Sequence, residues 1–122
     1  MAKKKILMVE DDVMLVEIIR MLLEEKGYDV VSAENGKEGL LKALSDKPDL
    51  IVADIMMPEM DGIEMTKIIR STADLKELPI IVLTALGRDS DVKKAMNAGA
   101  TDYLVKPAST NKFLQKIQEH LK

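Results

Sequence analysis

Four stretches of this 122-residue chain place carboxylates, a hydroxyl or an amine directly after an apolar run. Glu10-Asp11-Asp12 follows Ile6-Leu7-Met8-Val9. Asp54 follows Leu50-Ile51-Val52-Ala53 and leads into Ile55-Met56-Met57-Pro58. Thr84-Ala85 follows Ile80-Ile81-Val82-Leu83, and Lys106-Pro107 follows Tyr103-Leu104-Val105. Carboxylates crowded together repel, and each raises the pKa of the others unless a cation neutralises them. With no Cys and a single His in the chain, hard oxygen ligands suit Mg²⁺ or Mn²⁺, ions that keep several waters and accept a phosphate oxygen. Lys106 supplies a fixed positive charge able to pair with Asp54 and then with an incoming phosphoryl oxygen. Thr84 offers a hydroxyl donor to another. A carboxylate nucleophile, a metal and donors facing the equatorial oxygens are what phosphoryl transfer to Asp54 requires, with an aspartyl-phosphate as product.

Each residue alone has a plainer reading. Asp12 opens a helix and is read as its cap rather than a ligand; Asp11 could also cap, and Thr84 could be an ordinary strand-end residue. A Lys before Pro is usually solvated. Asp54 is harder to dismiss, because Asp61 is the better cap for the next helix. Convergence of all four strand ends on one edge of a sheet outweighs the separate readings.

The elements that must position these groups follow from periodicity. The four runs above, with Val30-Val31, are short, β-branched and without polar alternation, as in strands covered on both faces. Between them lie segments of helical period: Leu15, Ile18, Ile19 and Leu22; Leu40, Ala43 and Leu44; Met65, Ile68 and Ile69; Val92, Ala95, Met96 and Gly99; and Phe113, Ile117 and Leu121. Gly27 and Gly99 read as left-handed helix ends, and Asn35 (with Glu38 three residues on) and Asp61 as helix starts. Strand and helix alternate five times, which implies an α/β fold. It is a (βα)5 doubly wound open parallel sheet with helices on both faces, one domain over residues 1–122. Met8, Met14, Met21 and Met96 fall on core-facing patterns, where Met fills gaps. Met56, Met57 and Met60 could line a partner surface, and His120 is expected to be exposed and inert.

Composition narrows the function. A net charge of −3 argues against nucleic-acid binding, and Lys3-Lys4-Lys5 reads as a solvated start. No apolar run reaches the ~18 residues of a membrane span, and no leader is evident, so a cytoplasmic protein without membrane contact is expected. Without Cys there is no disulfide, thiolate nucleophile or thiolate metal site.

From about Lys4 onward the chain resembles the receiver domain of bacterial response regulators. Glu10-Asp11-Asp12, Asp54 with Met57-Pro58 and Asp61-Gly62, Thr84-Ala85, Gly99-Ala100 and Tyr103 to Lys106-Pro107 carry the resemblance. It implies a flavodoxin-like sheet in the order 2-1-3-4-5 and a stand-alone receiver without an output domain, a signalling switch rather than a turnover enzyme. Asp54 would be the phosphoacceptor. Asp11, Asp54 and the Met56 backbone carbonyl would bind Mg²⁺ directly and Glu10 through water. Thr84, Ala85 and Lys106 would hold the phosphoryl group, and Tyr103 would turn inward as Thr84 moves, altering the face of the fourth helix, fifth strand and fifth helix. The Lys106-Pro107 bond would be cis. The implied partners are a sensor histidine kinase or histidine phosphotransfer protein and an unnamed downstream target.

Two departures from commoner relatives carry expectations. Ala108 replaces a frequent Phe and the last helix lacks an Arg used in one subfamily's dimers, so that pairing is not expected. Met56 and Leu86 stand where polar residues would orient a hydrolytic water, which predicts a long-lived phosphoryl group. The competing readings are a Mg²⁺-dependent phosphohydrolase with an Asp nucleophile, and a nucleotide or flavin module. The first would need an enclosing cap that the length does not provide. The second would need a glycine-rich cradle, and neither G-x-G-x-x-G nor G-x-x-x-x-G-K-[ST] occurs.

Overall fold

Strand and helix alternate along the chain: β1 (Lys5–Val9), α1 (Val13–Glu25), β2 (Asp29–Ala33), α2 (Gly36–Asp46), β3 (Leu50–Asp54), α3 (Gly62–Arg70), β4 (Ile80–Ala85), α4 (Asp89–Ala98), β5 (Asp102–Lys106) and α5 (Thr110–His120). The structure is a computed structural model and describes residues 3–85 and 87–121. The strands form one parallel sheet in the order β2-β1-β3-β4-β5, as expected. The order reverses between β1 and β3, so a crevice opens beyond their carboxyl ends.

Both faces of the sheet are covered, because successive side chains of a strand point to opposite sides. Ile6 and Met8 of β1 pack with Val16, Ile19 and Leu23 of α1 and Phe113, Leu114 and Ile117 of α5. Leu7 and Val9 pack on the other side with Ala43 of α2, Met65 and Ile69 of α3 and Ala95 of α4. Double coverage explains why the strands read as continuous apolar runs.

The expected helix boundaries hold in chemical detail. Asp12 caps α1, accepting from the Met14 and Leu15 amides at 3.1 and 3.2 Å. Asn35 caps α2 through the Glu38 amide, and Asp61 caps α3 through the Glu64 amide, each at 2.8 Å. Gly99 ends α4 at φ +112°, which a side chain would strain. The Lys106-Pro107 bond is cis.

Several orientations differ from the sequence reading. In α1 the buried stripe is Val16, Ile19 and Leu23, whereas Ile18, Met14 and Met21 are exposed. Residues 14, 18 and 21 have helical spacing just as 16, 19 and 23 do, so periodicity alone does not choose between the two stripes. Leu44 and Met96 are also exposed, though by less than half, so of the four methionines assigned to core-facing patterns only Met8 is buried. Met57 and Met60 pack against the core, which leaves Met56 as the exposed methionine of that loop. His120 is not inert: its ring meets Asp102 at 2.9 Å. Leu86, paired with Met56 in the lifetime argument, lies outside the described residues.

Candidate functional site

The site is assembled from the carboxyl ends of β1, β3, β4 and β5. Asp54 is the last residue of β3 and Lys106 the last of β5, while Glu10 and Asp11 directly follow β1. Gly62 fixes the loop behind Asp54. A Cβ there would stand 2.5 Å from the Asp54 carbonyl oxygen, so only glycine permits the approach that lets its amide donate to Ile55 O at 3.1 Å.

Glu10, Asp11 and Asp54 each present a carboxylate oxygen within 4.8 Å of the others. Glu10 and Asp54 are buried and Asp11 is exposed, giving one open side. Lys106 Nζ donates to Asp54 Oδ2 at 2.6 Å and to Glu10 Oε1 at 3.0 Å. The Met56 amide donates to Asp54 Oδ1 at 3.1 Å, and the Asp12 amide to Glu10 Oε2 at the same distance. One ammonium therefore faces two buried carboxylates with a third nearby, an arrangement short of positive charge. Burial pushes the Glu10 carboxyl up to about 7, against the lowering pull of the Lys106 and Asp12 hydrogen bonds, and the Asp54 charge adds to the rise. Burial works against the Lys106 ammonium, but its hydrogen bonds to Asp54 and Glu10 outweigh it and hold it above the ordinary lysine range. All-oxygen donors with excess negative charge and one open side fit a hard divalent cation such as Mg²⁺.

Thr84 is buried at the end of β4, and among the described residues its hydroxyl makes only a long contact, 3.5 Å, to the Ala85 carbonyl. It lines a groove of about 330 Å³ together with Arg88, Val92, Tyr103 and Val105. Tyr103 is 41% exposed beside that groove. Every strand-end residue singled out in the sequence is thus found on this edge, and Asp12 serves as the cap.

Three polar arrangements escaped the sequence reading. Arg70, at the end of α3, donates to Gly99 O at 2.7 Å, Leu78 O at 2.7 Å, Lys76 O at 3.1 Å and Thr101 Oγ1 at 3.2 Å. Asp102, the first residue of β5, accepts from Lys116 and His120 of α5. Burial raises its carboxyl, but the His120, Lys116 and Tyr103-amide bonds prevail and hold it below the usual carboxylate range. Arg88 pairs with Asp91 and reaches Met56. The Arg70 and Asp102 contacts and the reach of Arg88 to Met56 join separate elements, for which the sequence carries no local signal, whereas Arg88 and Asp91 stand three residues apart, a spacing that could have shown the pair.

A doubly wound sheet with an acidic cluster and a lysine at its switch point defines a receiver-type phosphoacceptor fold. The model of the response regulator receiver domain matches residues 6–118, and the chain belongs to that family, the phosphoacceptor switches of two-component signalling. It is 40% identical over 119 residues to the alkaline phosphatase synthesis transcriptional regulatory protein PhoP of Bacillus subtilis, covering 98% of this chain and 49% of that protein. It is 34% identical over 118 residues to the polar-differentiation response regulator DivK of Brucella anthropi, covering 97% and 96%. The chain thus spans about half of one relative and nearly all of the other. Among solved structures, the receiver domain of sensor histidine kinase PA1611 from Pseudomonas aeruginosa superposes with a TM-score of 0.90 at 31% identity, over 98% of both chains. That structure holds a magnesium ion in its active site cleft. The family supports a switch and not the phosphohydrolase alternative.

Proposed function

We propose that Asp54 is the phosphoacceptor of this receiver, that residues 1–122 form a single switching unit, and that its output is a change in partner binding. The observation that carries the assignment is Asp54 itself: a buried carboxylate held by Lys106 at 2.6 Å within a three-carboxylate cluster. The donor is a phosphohistidine on a sensor kinase or phosphotransfer protein. An Asp54 oxygen forms the new O–P bond as the N–P bond breaks, and the electron pair returns to the imidazole nitrogen. Asp11, Asp54 and the Met56 carbonyl would hold Mg²⁺, with Mn²⁺ as a substitute and Glu10 acting through water. The ion supplies neutralisation of the transferring oxygens. Lys106 exchanges its carboxylate contacts for a phosphoryl oxygen, and Thr84, whose hydroxyl lies 3.5 Å from the Ala85 carbonyl, donates to another beside Ala85. Tyr103 then moves into the groove next to Thr84, changing the surface of α4, β5 and α5. The protein acts in the cytoplasm as a signalling switch without turnover of a small substrate.

The deciding experiment is incubation with acetyl phosphate or phosphoramidate and Mg²⁺, followed by intact mass. One phosphate per chain is expected, and none on Asp54→Ala. A stable phosphate on the Asp54→Ala protein would overturn the assignment.

A further inference from the structure

Arg88 connects the loop after β4 to the loop after Asp54. It is the N-cap residue of α4 and offers no side-chain cap. Its guanidinium instead binds Asp91 in the helix's first turn, with Nε and Nη2 each 2.6 Å from Oδ2. Nη2 also lies 3.6 Å from the Met56 sulfur, across on the loop after Asp54. The same side chain lines the groove that contains Thr84 and Tyr103. The Arg88 side chain is about half exposed, whereas that of Asp91 is mostly covered.

Phosphorylation replaces the single charge of Asp54 by about −1.5 to −2. A guanidinium at the rim then has two anionic partners to choose between, and its planar fork suits phosphoryl oxygens as well as a carboxylate. Asp91 can be left without Arg88 at modest cost, because it sits in the first turn of α4, where the helix dipole favours negative charge. Arg88 itself is about half exposed, so solvent screens its side of the pair and a dianion nearby can compete for it.

We propose that Arg88 is a phosphoryl-responsive latch: it holds the first turn of α4 through Asp91 in the unmodified protein and transfers to the phosphoryl group once Asp54 is modified. This deepens the phosphoacceptor reading and rests on it. Arg88 would join Lys106 as a second cation at the modified site. Its release of Asp91 would loosen the start of α4 on the groove side.

The test is a double-mutant cycle read by the affinity of beryllofluoride, a phosphoryl mimic, in the presence of Mg²⁺. Arg88→Gln should weaken binding roughly two- to fivefold, the range a partly exposed ion pair supports. Asp91→Asn should tighten it by a similar factor, because Arg88 is freed in advance. The double variant should match Arg88→Gln alone, since Asp91 acts through Arg88. If Asp91→Asn tightens binding equally in the Arg88→Gln background, Asp91 acts by plain repulsion and the latch is wrong. Equal affinities for wild type and Arg88→Gln also overturn it. Intact mass after phosphoramidate treatment separates this from the underlying reading: wild-type protein that takes no phosphate removes both, whereas normal uptake with a flat cycle removes the latch alone.

Discussion

Glu10 is the residue whose chemistry changes most between a free carboxylic acid in water and this site. Burial raises it from 4.5 to about 7 in the metal-free protein, so the native state binds its proton more tightly than the unfolded chain does. Its contribution to stability is therefore fully present below about 4.5 and is lost as pH rises to about 7, then stays constant. Thermal unfolding in EDTA should show this decline between those values, and Glu10→Gln should remove it. The same proton competes with a cation, so Mg²⁺ affinity, followed by titration calorimetry, should rise over the same range. Met56 leads to a different prediction. Met56 is 60% exposed two residues beyond Asp54, and its thioether cannot orient a water. Met56→Asn should speed loss of the phosphoryl group by up to about 100-fold, the lower end of what one positioned proton-transfer group contributes. Time-resolved intact mass of the phosphorylated protein would measure it.

Helix ends and stripes show where sequence patterns suffice. Asp12, Asn35 and Asp61 were readable as caps because a cap is a local arrangement, complete within three residues. The buried face of α1 was not readable, because two apolar stripes share one helix and only the packing partners choose between them. Arg70 is the extreme case: a charged residue at the end of an amphipathic helix looks solvated, yet its partners are Lys76, Leu78, Gly99 and Thr101. It joins the end of α3 to the α4–β5 connection, where Gly99 leaves room for it: a Cβ there would lie 2.6 Å from Arg70 Cγ. Arg70→Met should cost about 2–4 kcal/mol, because three carbonyls and a hydroxyl lose a charged donor together. Urea unfolding gives that value, and phosphate uptake should persist in the folded variant.

At the scale of the whole molecule, the acidic cluster of Glu10, Asp11 and Asp54 matters for stability. Two buried carboxylates and a third at the rim face a single lysine, so a divalent cation binding only the native state must raise the melting temperature. At 100 times its dissociation constant the gain is about 2.7 kcal/mol, and EDTA should reverse it. Asp54→Ala should reduce the response sharply in a scanning fluorimetry titration. The (βα)5 order and the strand-end site were readable for a common reason: in a parallel sheet covered on both faces, strands become apolar runs, and whatever follows them lies on one edge. Groups that meet across helices, such as His120 with Asp102, obey no such rule. That last contact has a practical consequence. It ties the end of α5 to the first residue of β5, on the edge of the sheet away from Asp54, and β1 starts on that same edge. A reporter, surface anchor or neighbouring module joined before Lys3 or after Leu121 would start from the side of the sheet opposite Asp54. The protein can therefore be immobilised by either end with its reactive mouth turned outward.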